Sequence, residues 1–176
     1  MSFLSKFRTS SKTKDKPLSR SGLNICILQG KLERYSSDRL NAAMQAAWHR
    51  PYEPAKFFGT NLDNEHGLVK FNDFYIPVYF HDRALNNEEL NGLSIPSWVD
   101  HTSFSKISFA PGGEGLPTAE DRHQFTGLIA LLALELANDT TTAFFFVEDQ
   151  AFIKRDSLTR QVILQAKSFD PNALAT

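Results

Sequence analysis

Residues 36–50 carry the hydrophobic period of a single amphipathic helix. Ser36 suits the N-cap, and Tyr35 precedes it where a hydrophobic staple would begin. The apolar positions then recur at helical spacing, which puts them on one side: Leu40, Ala43, Met44, Ala47 and Trp48. Pro51 disfavours continuation of the helix. We therefore predict a helix that begins after Ser36, buries one stripe and ends before Pro51.

Other segments carry the pattern of β-strands. The apolar run Asn24–Gln29 predicts a first strand. Leu68–Phe71 and Phe74–Phe80 flank Asn72-Asp73, two residues that tolerate a tight turn, so we predict a hairpin here. Pro77 cannot donate a hydrogen bond to a neighbouring strand. The second hairpin strand is therefore expected at a sheet edge, or broken at that proline.

The second half of the chain repeats the order of the first. Its pattern predicts a strand at Phe104–Phe109, a long helix at Ala119–Ala137 and a strand at Thr142–Val147. The apolar residues of 156–169 recur at helical spacing and predict a last amphipathic helix. One side of that helix would hold Leu158, Val162, Ala166 and Phe169.

These elements predict an α+β fold class. We expect a two-layer, largely antiparallel sheet with helices on one face, and a short helical turn ending at Gly92 between the halves. The order β-α-β-β followed by β-α-β resembles two ferredoxin-like halves. Residues 23–169 would form a single α+β domain, with 1–22 as a flexible basic leader and 170–176 as a frayed tail.

Charge is distributed unevenly along the chain. Residues 1–20 hold six basic side chains and one acidic one, a net charge of +5, whereas the remaining residues have a net charge of −6. An acidic domain disfavours nucleic acid as a partner and suits a basic protein. In the leader, Phe3, Leu4 and Phe7 precede several lysines, so contact with an anionic membrane surface is an alternative use.

The lone cysteine limits the chemistry of the chain. Cys26 lies in an apolar run, so we expect a buried, unreactive thiol rather than a disulfide or a metal ligand.

No apolar stretch approaches the roughly 20 residues that span a bilayer. The charged N-terminus is followed by no apolar signal region. These observations predict a cytoplasmic protein, and no motif calls for a cofactor.

A glycine-rich loop is the stretch that most resembles a phosphate site. Gly112, Gly113 and Gly115 miss the spacing of both the P-loop and the dinucleotide fingerprint. Glu114 would also place a negative charge beside a bound phosphate. Thr118 is a good N-cap for the helix that follows. We interpret the loop as a turn.

Scattered titratable residues leave an enzyme as an alternative. None of the five histidines has the spacing of a helical zinc motif, and no nucleophile elbow is present. A site would therefore have to be assembled by folding, centred on Asp100, His101, Glu120 and His123.

Two stretches carry a family resemblance. "NICILQGKLERYSSDRLNAAMQAAW" followed by "LVKFNDFYIPVYF", and later "SFSKISF" with "FTGLIALLALELANDTTTAFFF", resemble an uncharacterised bacterial family of small α+β proteins. The resemblance implies a strand, a helix ending near a tryptophan, a hairpin with a proline and a second strand–helix–strand unit. It implies no catalytic residues. Small acidic α+β proteins also resemble bacterial immunity proteins, which neutralise a toxin by binding it.

The sequence therefore favours a non-catalytic, cytoplasmic protein-binding module, in its most specific form an immunity protein for a basic toxin domain. The alternatives are the small enzyme described above and a peripheral membrane adaptor that uses residues 1–20. Clustered acidic side chains are the candidate partner-binding residues: Asp63, Glu65, Glu114, Glu148 and Asp149.

Overall fold

The computed structural model describes residues 22–109 and 119–166, which form one seven-stranded sheet and four helices, an α+β fold. The strands are β1 Leu23–Gln29, β2 Phe57–Asn61, β3 His66–Phe71, β4 Phe74–His81, β5 Ser103–Phe109, β6 Thr141–Phe146 and β7 Ala151–Lys154. The helices are α1 Ser37–Trp48, α2 Asn87–Leu90, α3 Ala119–Leu136 and α4 Thr159–Ala166.

The strand order in the sheet is β2-β3-β4-β5-β1-β6-β7, and every neighbouring pair is antiparallel. The predicted α+β class and antiparallel sheet are confirmed. The expectation of two successive ferredoxin-like halves is wrong, because β1 lies between β5 and β6, two strands of the second half. Strand β1 can take this central place because it is apolar on both faces, with Ile25 and Ile27 on one and Cys26 and Leu28 on the other.

Helices α1 and α3 pack together on the first face of the sheet. The predicted stripe of α1 is buried throughout, and Ser36 caps the helix by accepting a hydrogen bond from the Arg39 amide at 3.2 Å. Trp48 packs edge-on against Phe71, with 4.8 Å between ring centroids. Its indole N–H donates to the Leu128 carbonyl in α3 at 3.1 Å. This one side chain therefore joins the sheet to both long helices.

The second face has a different cover. Residues 82–102, which include α2, lie over part of it and enclose a separate apolar cluster with Cys26, Leu28 and Phe104. We call residues 82–102 the cover segment. The expectation of helices on one face is therefore wrong for α2, whose Leu90 belongs to this cluster. A helix of one turn is too short to bury much apolar surface in the main core. It is long enough to cover part of β1 and β5.

Pro77 lies inside the sheet rather than at its edge. Strand β4 has β3 on one side and β5 on the other. The pairing with β5 begins at Val78, immediately after the proline, whereas the pairing with β3 runs from Phe74 to Tyr79. The missing N–H therefore falls where the ladder with β5 ends. The prediction of an edge strand was wrong. The missing N–H of Pro77 nevertheless limits the length of the ladder between β4 and β5.

Two further differences concern the short strands and the start of the last helix. The pattern did not predict β2 or β7. Helix α4 begins at Thr159, which leaves Leu158 outside it and 59% exposed, so Leu158 is not part of a buried stripe. The leader, the glycine loop with its Thr118 cap, and the tail all lie outside the described residues.

Candidate functional site

Half of the second sheet face carries apolar side chains that remain partly exposed. They come from the outer strands β2, β3 and β4, where alternate residues point to the same side. We call this surface the aromatic face and define it by five residues: Phe58, Leu68, Tyr75, Pro77 and Tyr79. Tyr75 is 54% exposed, and the other four are intermediate in burial. Helix α1 contacts β2 and β3 from the opposite face.

Two lysines lie over the tyrosine rings of the aromatic face. The Lys70 Nζ is 5.2 Å from the centroid of Tyr75 and donates a hydrogen bond to the Ala55 carbonyl at 2.7 Å. The Lys106 Nζ is 5.2 Å from the centroid of Tyr79, its cross-strand neighbour. Such contacts are attractive because the face of an aromatic ring is electronegative. The surface thus combines aromatic area with two positive charges.

A cavity of about 300 Å³ opens at one end of the aromatic face. It lies where β3 begins and β4 ends, and it is lined by Glu65, His66, Tyr79, Phe80, His81, Asp82 and Arg83. Two of its polar side chains already have partners. The His66 Nδ1 lies 2.9 Å from the Asp63 carboxylate, and the Arg83 guanidinium contacts both carboxylate oxygens of Glu89. The volume is at the lower limit of small-molecule sites.

His81 is a partly buried histidine at the wall of this cavity. Its ring stacks on Phe104 with 4.4 Å between centroids, and its Nε2 is buried without a hydrogen-bond partner among the described residues. Burial, together with the nearby positive charges of Arg83 and Lys106, lowers the pKa of His81. Protonation of His81 would add a further positive charge beside Arg83 and Lys106.

The described residues contain no group of three or more histidine, cysteine, aspartate or glutamate side chains placed to hold a metal ion. The enzyme constellation does not assemble either. Asp100 and His101 precede β5 at the end of the cover segment, whereas α3, which contains residues 120 and 123, follows β5 on the first face. The length of β5 separates the two pairs by roughly 20 Å.

His101 has a structural contact instead. Its Nε2 accepts the Leu85 amide hydrogen at 3.1 Å, which ties the two ends of the cover segment together. Because this nitrogen accepts, the ring proton of the neutral form is on Nδ1. Burial lowers the pKa of His101, against a smaller opposing effect of Asp100.

The predicted acidic residues divide into groups with different surroundings. Asp63 accepts hydrogen bonds from the amides of Glu65 and His66 at 2.7 and 2.8 Å. The bond from the Glu65 amide, followed by the contact with the His66 side chain, leads the causes that lower the pKa of Asp63. Glu65 is exposed at the cavity. Glu114 lies outside the described residues. Asp63 and Glu65 thus differ in their surroundings although they are close in the chain.

Glu148 and its neighbour Asp149 follow β6. Glu148 is partly buried and accepts hydrogen bonds from the Asn24 amide and the Asn24 side chain, both at 2.9 Å. Burial raises the pKa of Glu148, while the hydrogen bonds from Asn24 oppose that rise. Asp149 is exposed and also takes part in contacts within the fold. Glu148 thus fastens β1 to the end of β6, a role that its sequence position did not indicate.

No helix in the described ranges is long and apolar enough to cross a membrane. The membrane-adaptor hypothesis rests on residues 1–20, which lie outside those ranges. Comparison with protein-family models, curated proteins and solved structures found no match to this chain. The resemblance to an uncharacterised bacterial family and the resemblance to immunity proteins therefore remain predictions.

The sequence did contain a signal for the aromatic face. In β4, Phe74, Ile76, Val78 and Phe80 alternate on the side that packs against the main core. The solvent side of such a strand normally carries charged or small polar residues. Here it carries Tyr75, Pro77 and Tyr79. This departure indicates that the surface has a role beyond contact with water.

Proposed function

We propose that the protein is a non-catalytic, cytoplasmic binding module that docks another protein on the aromatic face. One observation carries the proposal: three neighbouring strands present contiguous, partly exposed aromatic and aliphatic side chains. Exposed apolar patches mark interaction sites, and tyrosine and phenylalanine are enriched in protein interfaces. An ordinary solvated sheet face would not need these residue types.

The β2 edge of the sheet supports docking on the face rather than by strand addition. The Asn41 side chain accepts the Gly59 amide hydrogen and donates to the Gly59 carbonyl, both at 2.7 Å. The Ser37 hydroxyl accepts from the Asn61 amide at 2.9 Å. Side chains of α1 thus occupy the backbone groups that an added strand would need.

The β7 edge is short and partly occupied. Strand β7 has four residues, and the Lys154 carbonyl at its end accepts a hydrogen bond from the Thr159 hydroxyl at 2.7 Å. A strand of this length offers few backbone groups to a partner. Addition of a partner strand to β7 would therefore form few hydrogen bonds.

A more specific form of the proposal is a bacterial immunity protein, in which the partner is a toxin domain. The surplus of acidic side chains outside residues 1–20 and the resemblance noted above support it. It is tested by expressing a candidate toxin encoded next to this chain, with and without the chain. Rescue of growth together with a direct complex supports neutralisation, and rescue without a complex contradicts it.

The binding proposal is tested by affinity capture with matched baits. The full chain, its Tyr75→Ala variant and its Tyr52→Ala variant are used on a lysate of the native host. Tyr52 is a suitable control because it is also 54% exposed but precedes β2 and lies outside the aromatic face. We expect a protein that the native and Tyr52→Ala baits retain and the Tyr75→Ala bait does not.

The captured protein is then purified and its dissociation constant measured against all three baits. Equal affinity for the native chain and Tyr75→Ala contradicts docking on the aromatic face. Loss of capture after nuclease treatment shows that nucleic acid mediates the contact and contradicts the protein-binding proposal.

A further inference from the structure

Lys106 occupies the inner border of the aromatic face. It lies on β5 between Tyr79 of β4 and Cys26 of β1. The aliphatic part of its side chain therefore lies over the interior of the sheet. The side chain is intermediate in burial, and its Nζ lies over the Tyr79 ring. Because Tyr79 also lines the cavity, the Lys106 ammonium lies close to both the aromatic face and the cavity.

No carboxylate of the described residues comes within 4 Å of the Lys106 ammonium. Glu65 and Asp82 line the adjacent cavity without forming an ion pair with Lys106, and two further acids are held by other groups. Glu89 is bound by the Arg83 guanidinium and the Asn86 amide. Glu148 is bound by Asn24. The ring of Tyr79 attracts the cation but does not neutralise it.

From this charge arrangement we infer that the docked partner presents an acidic segment whose carboxylate pairs with Lys106. This inference rests on the proposed function, because it names the chemistry of the partner on the same surface. A partly desolvated cation gains more from a carboxylate than a fully hydrated one does. Apolar side chains of the same segment would contact Leu68 and Pro77, which lie beside Lys106 and Tyr79 on neighbouring strands.

The lysines also argue against a single strand of nucleic acid as the ligand. Base stacking needs free ring faces. Lys70 already lies over Tyr75, and Lys106 lies over Tyr79, so a base would have to displace a cation at each ring. A carboxylate requires no such displacement, since it approaches the ammonium itself.

A library of displayed random peptides selected on the full chain tests the inference. We expect the selected peptides to combine aspartate or glutamate with apolar residues. Dissociation constants of purified peptides are then measured for the native chain and three variants. Lys106→Met keeps the stem without the charge and should weaken binding roughly tenfold. Lys106→Arg should restore binding, and Lys154→Met, on exposed β7, should leave it unchanged.

The outcomes separate this inference from the proposed function. Peptides that lose binding in Tyr75→Ala but bind Lys106→Met as well as the native chain overturn the acidic-segment inference alone. Selected peptides without acidic residues do the same. If no peptide binds in a Tyr75-dependent way, or if only a single-stranded oligonucleotide does, both proposals fail. Circular dichroism of each variant establishes that it is folded.

Discussion

At the scale of single residues, Gly59 sets how closely α1 approaches the sheet. A Cβ added there would lie 2.7 Å from the Leu40 Cβ and 2.8 Å from the Leu40 carbonyl carbon. Because the second of these atoms is backbone, the helix itself would have to shift. We expect Gly59→Ala to lower the free energy of unfolding by about 2 kcal/mol, measured by urea denaturation.

Gly30→Ala is the matched control for that measurement. A Cβ at Gly30 meets only the Thr140 carbonyl oxygen, at 3.8 Å. We expect its stability to stay within about 0.5 kcal/mol of the native value. Equal stability of the two variants would contradict the close approach of α1 to β2.

Glu148 should make stability depend on pH in an identifiable direction. Its pKa is raised in the fold, mainly by burial, above its ordinary value of 4.5. The folded chain therefore binds this proton at a higher pH than the unfolded chain does. The contribution of Glu148 is greatest below pH 4.5 and is lost as the pH rises through the raised pKa.

Glu148→Gln removes this titration and keeps an oxygen that can accept from Asn24. We expect the difference in unfolding free energy between native and variant chains to shift in favour of the native chain as the pH falls toward 4.5. The measurement is urea denaturation of both chains from pH 7 to 4. A difference that stays constant with pH would show that Glu148 is not desolvated.

Single residues also show which contacts can be predicted from the sequence. The cap at Ser36 and the apolar stripe of α1 follow from contacts within a few positions, so both were predicted correctly. The bond between Glu148 and Asn24 joins residues 124 positions apart. No local pattern encodes such a pairing, and Glu148 therefore looked like a surface residue.

At the scale of elements, the cover segment is closed by the contact between His101 and the Leu85 amide. Burial lowers the pKa of His101 below its ordinary value of 6.5, so the unfolded chain takes up this proton at a higher pH than the folded chain. Its contribution to stability is present above pH 6.5 and is lost as the pH falls through the lowered pKa.

His101→Gln keeps an acceptor for the Leu85 amide but does not titrate. We expect the native chain to lose stability relative to this variant as the pH is lowered from 8 to 5, measured by thermal unfolding at each pH. Parallel curves would show that protonation of His101 does not strain the cover segment.

Helix α1 protects the edge strand β2 through Asn41. Asn41→Ala removes both hydrogen bonds to Gly59 and exposes that pair of backbone groups. We expect a loss of about 1–2 kcal/mol in unfolding free energy. Because an open edge can pair with another chain, we also expect concentration-dependent self-association in sedimentation velocity.

Gln45→Ala, on an exposed position of the same helix, serves as the control for Asn41→Ala. It should retain native stability and remain at the native association state. An Asn41→Ala chain that matches this control in both measurements would contradict the role of Asn41 at the β2 edge.

The predicted elements were those with long or strongly periodic patterns. Strands β1, β3, β4, β5 and β6 and helices α1 and α3 were found within a few residues of their bounds. Strand β2 was missed because "FFGTN" is short and interrupted by a glycine, and β7 because it has only four residues. Both are stabilised by neighbouring strands rather than by their own pattern.

At the scale of the whole molecule, strand order was the property that the sequence did not reveal. The placement of β1 between β5 and β6 depends on pairings across 74 or more positions, such as Ile27 with Ser105 and with Phe144. That order leaves β2, β3 and β4 at one side, beyond the cover segment. The aromatic face therefore arises from topology, and the sequence alone indicated only its residue types.

The charge around the aromatic face decides between the two kinds of partner. Our sequence interpretation expected a basic partner that meets acidic clusters, whereas the position of Lys106 favours an acidic one. Glu65 distinguishes them because it is exposed and lines the cavity. Its hydrogen bonds involve the backbone: its carbonyl accepts from the Phe80 amide, and its amide donates to the Asp63 carboxylate. Glu65→Lys changes the local charge by two units without removing these backbone groups.

For an acidic partner, Glu65→Lys should speed association several-fold at low salt, since surface charges act over about 10 Å at 0.1 M salt. For a basic partner it should slow association. The measurement is the association rate of the captured protein at two ionic strengths. Asp139→Lys, an exposed change in the turn before β6, controls for net charge. Faster association of Glu65→Lys, without the same change in Asp139→Lys, supports pairing at Lys106. Slower association of Glu65→Lys supports an acidic surface that binds a basic partner.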